Sequence, residues 1–510
     1  MFGLFSTPRN LFHLISTLRV FLRYGALFPL ESRGEGWKRW LRRRTDPQFA
    51  TLRPGQRLVA ALQALGPTYI KFGQALSTRP DLVGEEVAGD LSELHDRLPP
   101  FPAEQAKAII EEELDRPLAE LYSSFDDQPV AAASIAQVHF AISAEGDAVA
   151  VKVLRPGVEA EFARDIALFG WMARVVETVL PAARRLRLPE AVQTFEDTVV
   201  QEMDLRFEAA AAAEMAENFT GDEDFRIPAI DWQRTARRVM TQERISGISI
   251  DEIEALSAAG HPPVEVVRKA AATFFNMVFR DGFFHADLHP GNLFVGEDGG
   301  LIAVDFGITG RVDEATRKTL AEMLLGFLNG NYRRVAEVHF EAGWVPPEKS
   351  VDMFTQACRS IAEPILGKPA NEISIARLLG QLFEVTETFA MEAQPQLLLL
   401  QKSMLVAEGI GRRLAPEVNM WEMARPLIES WMTANLGPAA RVKDNVGALF
   451  ATLESLPRLV AHAEETVAAL RNGGLKLHGD SVKVISRRSI FPSWVPWVLA
   501  AILGFLLLRR

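Results

Sequence analysis

The stretch that most narrows what this chain can fold into is FFHADLHPGNLFVGEDGGLIAVDFG, Phe283 to Gly307. Its short apolar runs, NLFV and LIAV, flank the turn residues GEDGG, which reads as a β-hairpin of buried-type strands. Polar groups collect at the open end of that hairpin. Asp287 precedes Asn292 by five residues, and Pro290–Gly291 supplies a turn that lets both side chains face one site. If Leu293–Val295 pairs antiparallel with Ile302–Val304, Asn292 and Asp305 become neighbours across the hairpin. Asp287, Asn292 and Asp305 then form an oxygen-rich cluster, the donor set that suits Mg²⁺ beside phosphate oxygens.

Upstream, the hydrophobic period changes near residue 129. PVAAASIAQVHFAIS and DAVAVKVLRPG are β-type runs separated by Glu145, Gly146 and Asp147. Lys152 ends the run VAVK, where an ammonium can reach nucleotide phosphates if a carboxylate orients it. The helical segment QEMDLRFE offers Glu202, Asp204 and Glu208; Asp204 and Glu208 share a helix face, and Glu202 points elsewhere. Helical patterns fill 60–120 and 159–220, and dominate from Asp313 to about 475. A small β unit, helices, a β-hairpin and many more helices make an α+β chain with two lobes and room for a nucleotide between them.

Taken singly these features are common. Their order is not, and it resembles the protein-kinase-like superfamily, within it the UbiB family of atypical kinases. KFGQ (Lys71–Gln74) resembles that family's Lys-x-Gly-Gln signature, AAASIAQVH its alanine-rich loop, and QEMD its Glu-x-Asp motif. The resemblance covers about residues 60–440. It implies a two-lobed kinase-like fold with ATP and Mg²⁺ as cofactors. Asp287 would be the catalytic acid residue that accepts the nucleophile's proton, with Asn292 and Asp305 as metal ligands. Lys152, paired with Glu208, would contact the α/β-phosphates. Val130, Ala131, Ala132, Ala133, Ser134, Ile135, Ala136, Gln137 and Val138 would cover the nucleotide. Lys71 and Gln74 would lie over the cleft, with Glu202 and Asp204 near them. The family is tied to ubiquinone (coenzyme Q) biosynthesis.

Two departures from ordinary protein kinases bear on activity. Alanine in place of glycine adds Cβ atoms where backbone should approach phosphate. Five residues separate Gly307 from Asp313, the expected N-cap of the next helix, so no long activation loop and no APE motif exist to grip a peptide.

Charge is unevenly spread. Residues 1–57 hold 11 Lys/Arg and three Asp/Glu, a balance of +8, while the whole chain carries −11, leaving −19 on the remainder. LFHLISTLRVFLRYGALF interleaves arginines with bulky apolar residues, as an amphipathic helix on an anionic membrane does; nucleic acid and packing on the protein itself are the alternatives. IFPSWVPWVLAAILGFLLL, Ile490 to Leu508, is uncharged over 19 residues and as a helix spans about 28 Å, close to a bilayer's hydrocarbon core. Trp494 and Trp497 lie where interfacial aromatics belong. With no signal peptide and a single cysteine, Cys358, the chain is expected to be membrane-anchored with its bulk in the cytoplasm, the membrane being the inner one if the source is a bacterium.

The expected divisions are a basic membrane-surface segment (1–58), a helical extension with the KxGQ motif (59–125), a kinase-like domain (126–440), a helical C-terminal segment (441–489) and a transmembrane helix (490–508). The expected function is a membrane-anchored ATP-dependent atypical kinase or ATPase supporting ubiquinone biosynthesis by hydrolysing ATP to aid the processing of polyprenyl-phenol intermediates. The alternatives are a protein kinase acting on a partner of that pathway and a nucleotide-gated, non-catalytic scaffold. Expected partners are anionic lipid, quinone-pathway enzymes or polyprenyl phenols, and a second copy of the chain, with no nucleic acid.

Overall fold

The computed structural model describes residues 8–27, 34–77, 83–92, 94, 98–179, 187–364, 381, 384–386, 388–391, 395–418 and 420–436. The expected segments at 441–489 and 490–508 lie outside the described residues. Among the described residues no helix is long and apolar enough to cross a membrane.

The chain opens with helices α1 (Pro8–Tyr24), α2 (Glu35–Arg42), α3 (Pro54–Leu65), α4 (Pro67–Ser77) and α5 (Glu85–Ser92). Proline opens both α3 and α4, where its fixed φ suits the first turn and its missing N–H costs nothing. Gly66 between them adopts φ 104°, a conformation that side chains disfavour, so the chain turns sharply and α4 folds back on α3. Gly73 permits the close contact that follows: a Cβ there would lie 2.6 Å from Leu62 and 2.7 Å from Leu94. The Thr17 hydroxyl, 3.0 Å from the Tyr69 hydroxyl, ties α1 to α4.

Next come α6 (Ala103–Leu114), the short α7 (Leu118–Leu121) and an antiparallel sheet. The sheet runs in the order β1-β3-β4-β6, with β2 also paired to β3; its strands are β1 (Tyr122–Phe125), β2 (Ala131–Ala132), β3 (Ala136–Ser143), β4 (Ala148–Leu154) and β6 (Val239–Glu243). The alanine-rich run is thus two strands with a turn, and β4 continues two residues past Lys152. Side chains alternate across β4. Val149, Val151 and Val153 pack on Ala106, Ile109 and Ile110 of α6. Leu154 packs on the other face with Ile70 of α4 and Phe162 of α8 (Val158–Val179). The extension and the sheet therefore share one core, and each large apolar side chain buried in it contributes about 1.5–3 kcal/mol. Helices α9 (Leu188–Glu202) and α10 (Leu205–Asn218) complete this half.

The second half is built on a larger core. Two small sheets carry the hairpin: β5 (Phe225–Arg226), β10 (Leu301–Ala303), β9 (Leu293–Val295) and β7 (Ile248–Ser249) in that order, and β8 (Phe283–His285) with β11 (Thr309–Arg311). Around them lie α11 (Ile253–Ala258), α12 (Pro263–Phe275), α13 (Glu314–Leu328), α14 (Tyr332–Glu341), α15 (Val351–Ala362), α16 (Pro395–Leu414) and α17 (Met420–Leu436). A π-helical turn, Asn276–Asp281, ends α12 and stops at Gly282, where a Cβ would lie 2.5 Å from the Val312 carbonyl. Asp313 caps α13 as expected, its carboxylate accepting from the Thr316 N–H at 2.8 Å. The described chain is an α+β fold, as its periodicities predict.

Candidate functional site

Lys152 stands opposite Val138 on β3 and Met240 on β6, on the sheet face that looks to the second half of the molecule. Its ammonium lies 2.7 and 2.9 Å from the two Glu208 oxygens and 3.3 Å from Asp305 Oδ1. Burial alone would lower the Lys152 pKa; the facing Asp305 and Glu208 charges outweigh it and raise the value. Burial pushes the Glu208 carboxyl up to about 7, against the pull of Lys152 and with a further push from Asp305.

The junction between α9 and α10 sends three acids to three places. Glu202, in the last turn of α9, turns back to the extension, 2.9 Å from Lys71. Asp204 caps α10 by accepting from the Arg206 N–H at 3.2 Å and pairs with the Arg206 guanidinium at 2.6 Å. Glu208, one turn further on, reaches Lys152. Asp204 and Glu208 thus start from one helix face but do different work.

KFGQ has a physical reading on α4. Gly73 sets the helix packing and Phe72 packs against Phe169 with ring centres 4.7 Å apart and planes tilted by 37°. Lys71 projects to Glu202, and its charge is felt at Asp305. The Gln74 amide lies at the outer hydrogen-bond limit, 3.5 Å from the Leu94 carbonyl, on the side of the extension's own loop.

The alanine-rich segment folds on itself. The Val130 N–H donates to the Val138 carbonyl, Ala131 and Ala132 pair with Val138 and Gln137, and the Ala133 N–H donates to Ala136 at 2.8 Å. Arg155 fastens the turn through the Ala133 carbonyl. Val130 and Ala131 are exposed; Ser134, Ile135, Ala136 and Gln137 are buried. The Gln137 amide accepts from the Phe101 N–H at 3.0 Å, donates to its carbonyl at 3.2 Å and meets His139 Nε2 at 2.8 Å. It lies on the sheet face away from Lys152 and anchors the linker that enters this half.

Below the sheet, β9 and β10 pair antiparallel with Ala303 opposite Leu293 and Ile302 opposite Phe294. The Val304 N–H donates to the Asn292 carbonyl at 2.9 Å, which brings Asn292 beside Asp305. Asp305 adopts φ 62°, a left-handed conformation worth roughly 1 kcal/mol of strain for a residue with a Cβ, and that turn aims its carboxylate at Lys152. Partial removal from water pushes the Asp305 carboxyl up, but the Lys152 and Lys71 charges outweigh it and hold it well below the usual range. His285 is buried, which lowers its pKa and keeps it neutral; Nδ1 accepts from the Asp287 N–H at 3.1 Å while Nε2 donates to Val304. The imidazole thus staples the Asp287 loop to the end of β10. The Asn292 amide nitrogen donates to the Asp287 carbonyl at 3.2 Å, fixing the same loop from its other end.

A further residue enters here that sequence reasoning missed. Lys402 of α16 places its ammonium 2.9 Å from Asp287 Oδ1. The available signal was a lone cation in the apolar run LLLLQKSMLV. Nothing local marks it, because its partner lies 115 residues away in the chain.

The oxygen donors Asn292 and Asp305 fit a hard divalent cation such as Mg²⁺. The Asn292 nitrogen is taken up by the Asp287 carbonyl, which leaves Oδ1 as its ligating atom, and the Asp305 carboxylate is ionised and half exposed.

Comparison with known proteins identifies the chain's relatives. Residues 93–339 match the ABC1 atypical kinase-like domain and residues 358–419 the UbiB helical domain. A Marinobacter nauticus protein named "Probable protein kinase UbiB" is 43% identical over 424 residues, covering 82% of this chain and 78% of its own. A protein of the same name from Aeromonas salmonicida is 40% identical over 466 residues, covering 89% and 85%. The chain belongs to the UbiB family. Among solved structures, the Mycobacterium tuberculosis protein Rv3197, determined with erythromycin, aligns with a TM-score of 0.53 at 26% identity over 70% of this chain and 90% of its own. This UbiB-family chain is therefore a kinase-type protein with a kinase-like fold, and that membership implies ATP and Mg²⁺ as its cofactors. Lys402 lies outside the ABC1 match and inside the UbiB helical domain, so the two matched regions meet at Asp287.

Proposed function

We propose that this UbiB-family chain is a membrane-anchored ATP-dependent atypical kinase or ATPase that supports ubiquinone biosynthesis by acting on, or aiding the processing of, polyprenyl-phenol intermediates. The observation that carries the phosphoryl-transfer part is the convergence of Lys152, Glu208, Asp305 and Asp287 on one cleft, with Lys152 within 3.3 Å of acids from both halves. Lys152, oriented by Glu208, would bind the α/β-phosphates. Asn292 and Asp305 would hold Mg²⁺, which supplies positive charge to the polyphosphate when bound. Asp287 accepts the proton of the attacking hydroxyl as the new O–P bond forms and the bond from the γ-phosphorus to the bridging oxygen breaks, leaving ADP.

Two observations support a small acceptor or water over a protein. Thr309 pairs with His285, Gly310 with Phe284 and Arg311 with Phe283, so the chain after Gly307 is zipped at once to β8. Residue 313 already caps α13. No long loop is left there on which a peptide could lie. The uncharged segment 490–508 supports the membrane location. A protein acceptor remains the second reading, favoured by the relatives' name.

The test is phosphate release from ATP by the purified full chain in anionic vesicles, with and without a phenolic quinone-precursor mimic, beside Asp305→Asn. Stimulated release that the variant loses supports the proposal. Absence of release, with labelled phosphate passing instead to a co-purified protein, would establish the second reading.

A further inference from the structure

Lys402 reaches Asp287 from α16, a helix outside the region that carries the other cleft residues. Its neighbours Leu400 and Ser403 are buried, and Ile410 and Leu414 of the same helix lie in the lower core, so the backbone at Lys402 is fixed. Its side chain is not. Both members of the pair are about one-third exposed and share a single contact. A pair of that kind contributes little to stability, so its position in the cleft calls for another reason.

The two oxygens of Asp287 stand in different surroundings. Oδ1 holds the Lys402 ammonium at 2.9 Å. Oδ2 faces His289 Nε2 at 4.0 Å, beyond hydrogen-bond reach, while His289 Nδ1 accepts from the Gly291 N–H at 3.0 Å. One oxygen is engaged by a cation and the other is open to a proton. The upper cations of the cleft are committed elsewhere. Lys152 is held by both Glu208 oxygens and by Asp305, and Lys71 by Glu202. The segment from His285 to Asn292 contains no Lys or Arg. Among the described cleft residues, Lys402 is therefore the cation placed to turn toward negative charge that arrives beside Asp287.

We infer that Lys402 is a further catalytic residue, which contacts the phosphoryl group as it transfers. The inference rests on the phosphoryl-transfer reading above and deepens it. The acceptor O–H gives its proton to Asp287 Oδ2, and the acceptor oxygen forms the new bond to the γ-phosphorus. The bond from that phosphorus to the bridging oxygen breaks, and its electron pair stays on ADP. Once protonated, Asp287 is no longer a counter-charge for Lys402. The ammonium turns to the phosphoryl oxygens, keeps its own protons and forms no covalent bond. Its attraction is strongest in the transition state, so it raises turnover rather than ground-state binding. In the nucleotide-free protein the same ammonium stays on Asp287. The UbiB helical domain thereby completes the site that the kinase-like domain begins.

The test uses the purified full chain. It compares the affinity for Mg-ADP with the affinity for Mg-ADP plus aluminium fluoride, which stands in for the transferring phosphoryl group. Lys402→Gln should leave the ADP affinity within about twofold and weaken the aluminium fluoride complex about 10- to 100-fold, in step with its loss of kcat. A merely structural role would lower the melting temperature and move both affinities together. Lys402→Cys keeps the test decisive if Lys402→Gln folds poorly. It should be as slow, and aminoethylation with 2-bromoethylamine, which rebuilds an ammonium on the new thiol, should restore most of the lost turnover. Burial pushes the native Cys358 thiol up to about 12, so it reacts slowly at neutral pH, and the parent protein given the same treatment should keep its rate. A Lys402→Gln protein with the parent's kcat and aluminium fluoride affinity, or a thiol variant that aminoethylation leaves slow, would overturn this inference alone. A parent that gains no affinity from aluminium fluoride and releases no phosphate would overturn the phosphoryl-transfer reading, and this inference with it.

Discussion

The Lys152–Glu208 pair in the upper half of the cleft and the Lys402–Asp287 pair in the lower half have similar separations, 2.7 and 2.9 Å, but not similar surroundings. The upper pair is 14% and 8% exposed, the lower 35% and 31%. Taking charges out of water is costly and is offset only by good geometry, which the two-point contact of Lys152 with Glu208 supplies. The lower pair has one contact and keeps water within reach. The difference suggests a division of labour. The upper pair is a fixed part of the fold that presents an ammonium. The lower pair is exchangeable, and Lys402 can leave Asp287 for an incoming anion.

The sharpest way to break this picture is at Asp287 itself. Asp287→Asn should keep the fold and the melting temperature while turnover falls about 10³-fold, the usual scale for removing a positioned acid–base group. A melting temperature lowered in step with activity would make Asp287 a structural residue and end the comparison.

Next in size is the upper pair. Lys152→Met should raise KM for ATP and also destabilise the protein by about 1–3 kcal/mol, because Glu208 loses its cation in a buried site. Adding Glu208→Leu should restore stability and not activity. Thermal melts and turnover on the three proteins separate the two effects; a Lys152→Met protein as stable as the parent would contradict a fixed role.

For the lower pair the expectation is reversed. Lys402→Gln should leave the melting temperature and the KM for ATP unchanged and lower kcat about 10- to 100-fold, through loss of positive charge at the transferring group. A loss of stability instead would make the pair a second fixed strut.

What the sequence revealed follows the same division. The hairpin from Leu293 to Val304 was legible because its period and turn residues are local, and its register then put Asn292 beside Asp305. By spacing alone Glu208 was legible only as one of two acids on a face; the family resemblance singled it out as the partner of Lys152, and the structure adds the physical reason, since Asp204 is taken up in capping α10. Lys402 was illegible because it acts at long range. The same holds for Gln137, whose partner Phe101 lies in a linker that no periodicity marks. Residues governed by neighbours three or four positions away can be read from the chain; those that close the cleft depend on tertiary packing.

The smallest effect tests the upper pair most finely, because it needs no large change in structure. Three groups at this corner are shifted, and their signs differ. Asp305 is held below its ordinary value, so the stability it contributes is present above that value and is lost in acid. Lys152 is raised, and its contribution is lost only in strong base. Glu208, raised from 4.5 to about 7, is the one of the three that titrates near neutrality. The folded chain there holds a proton that the unfolded chain has released. Its contribution is therefore complete below about 4.5 and is lost as pH rises through 7, with a slope of at most about 1.4 kcal/mol per pH unit. Ionised Glu208 is the form that orients Lys152, so activity should move the other way and rise roughly twofold between pH 7 and 8. Nucleotide-free protein should thus lose stability over the pH range in which kcat/KM climbs. Glu208→Gln, measured by melts and by initial rates across pH 5–8.5, should flatten both curves. If the variant keeps the activity limb, the titrating group lies elsewhere, and the upper pair is ionised throughout.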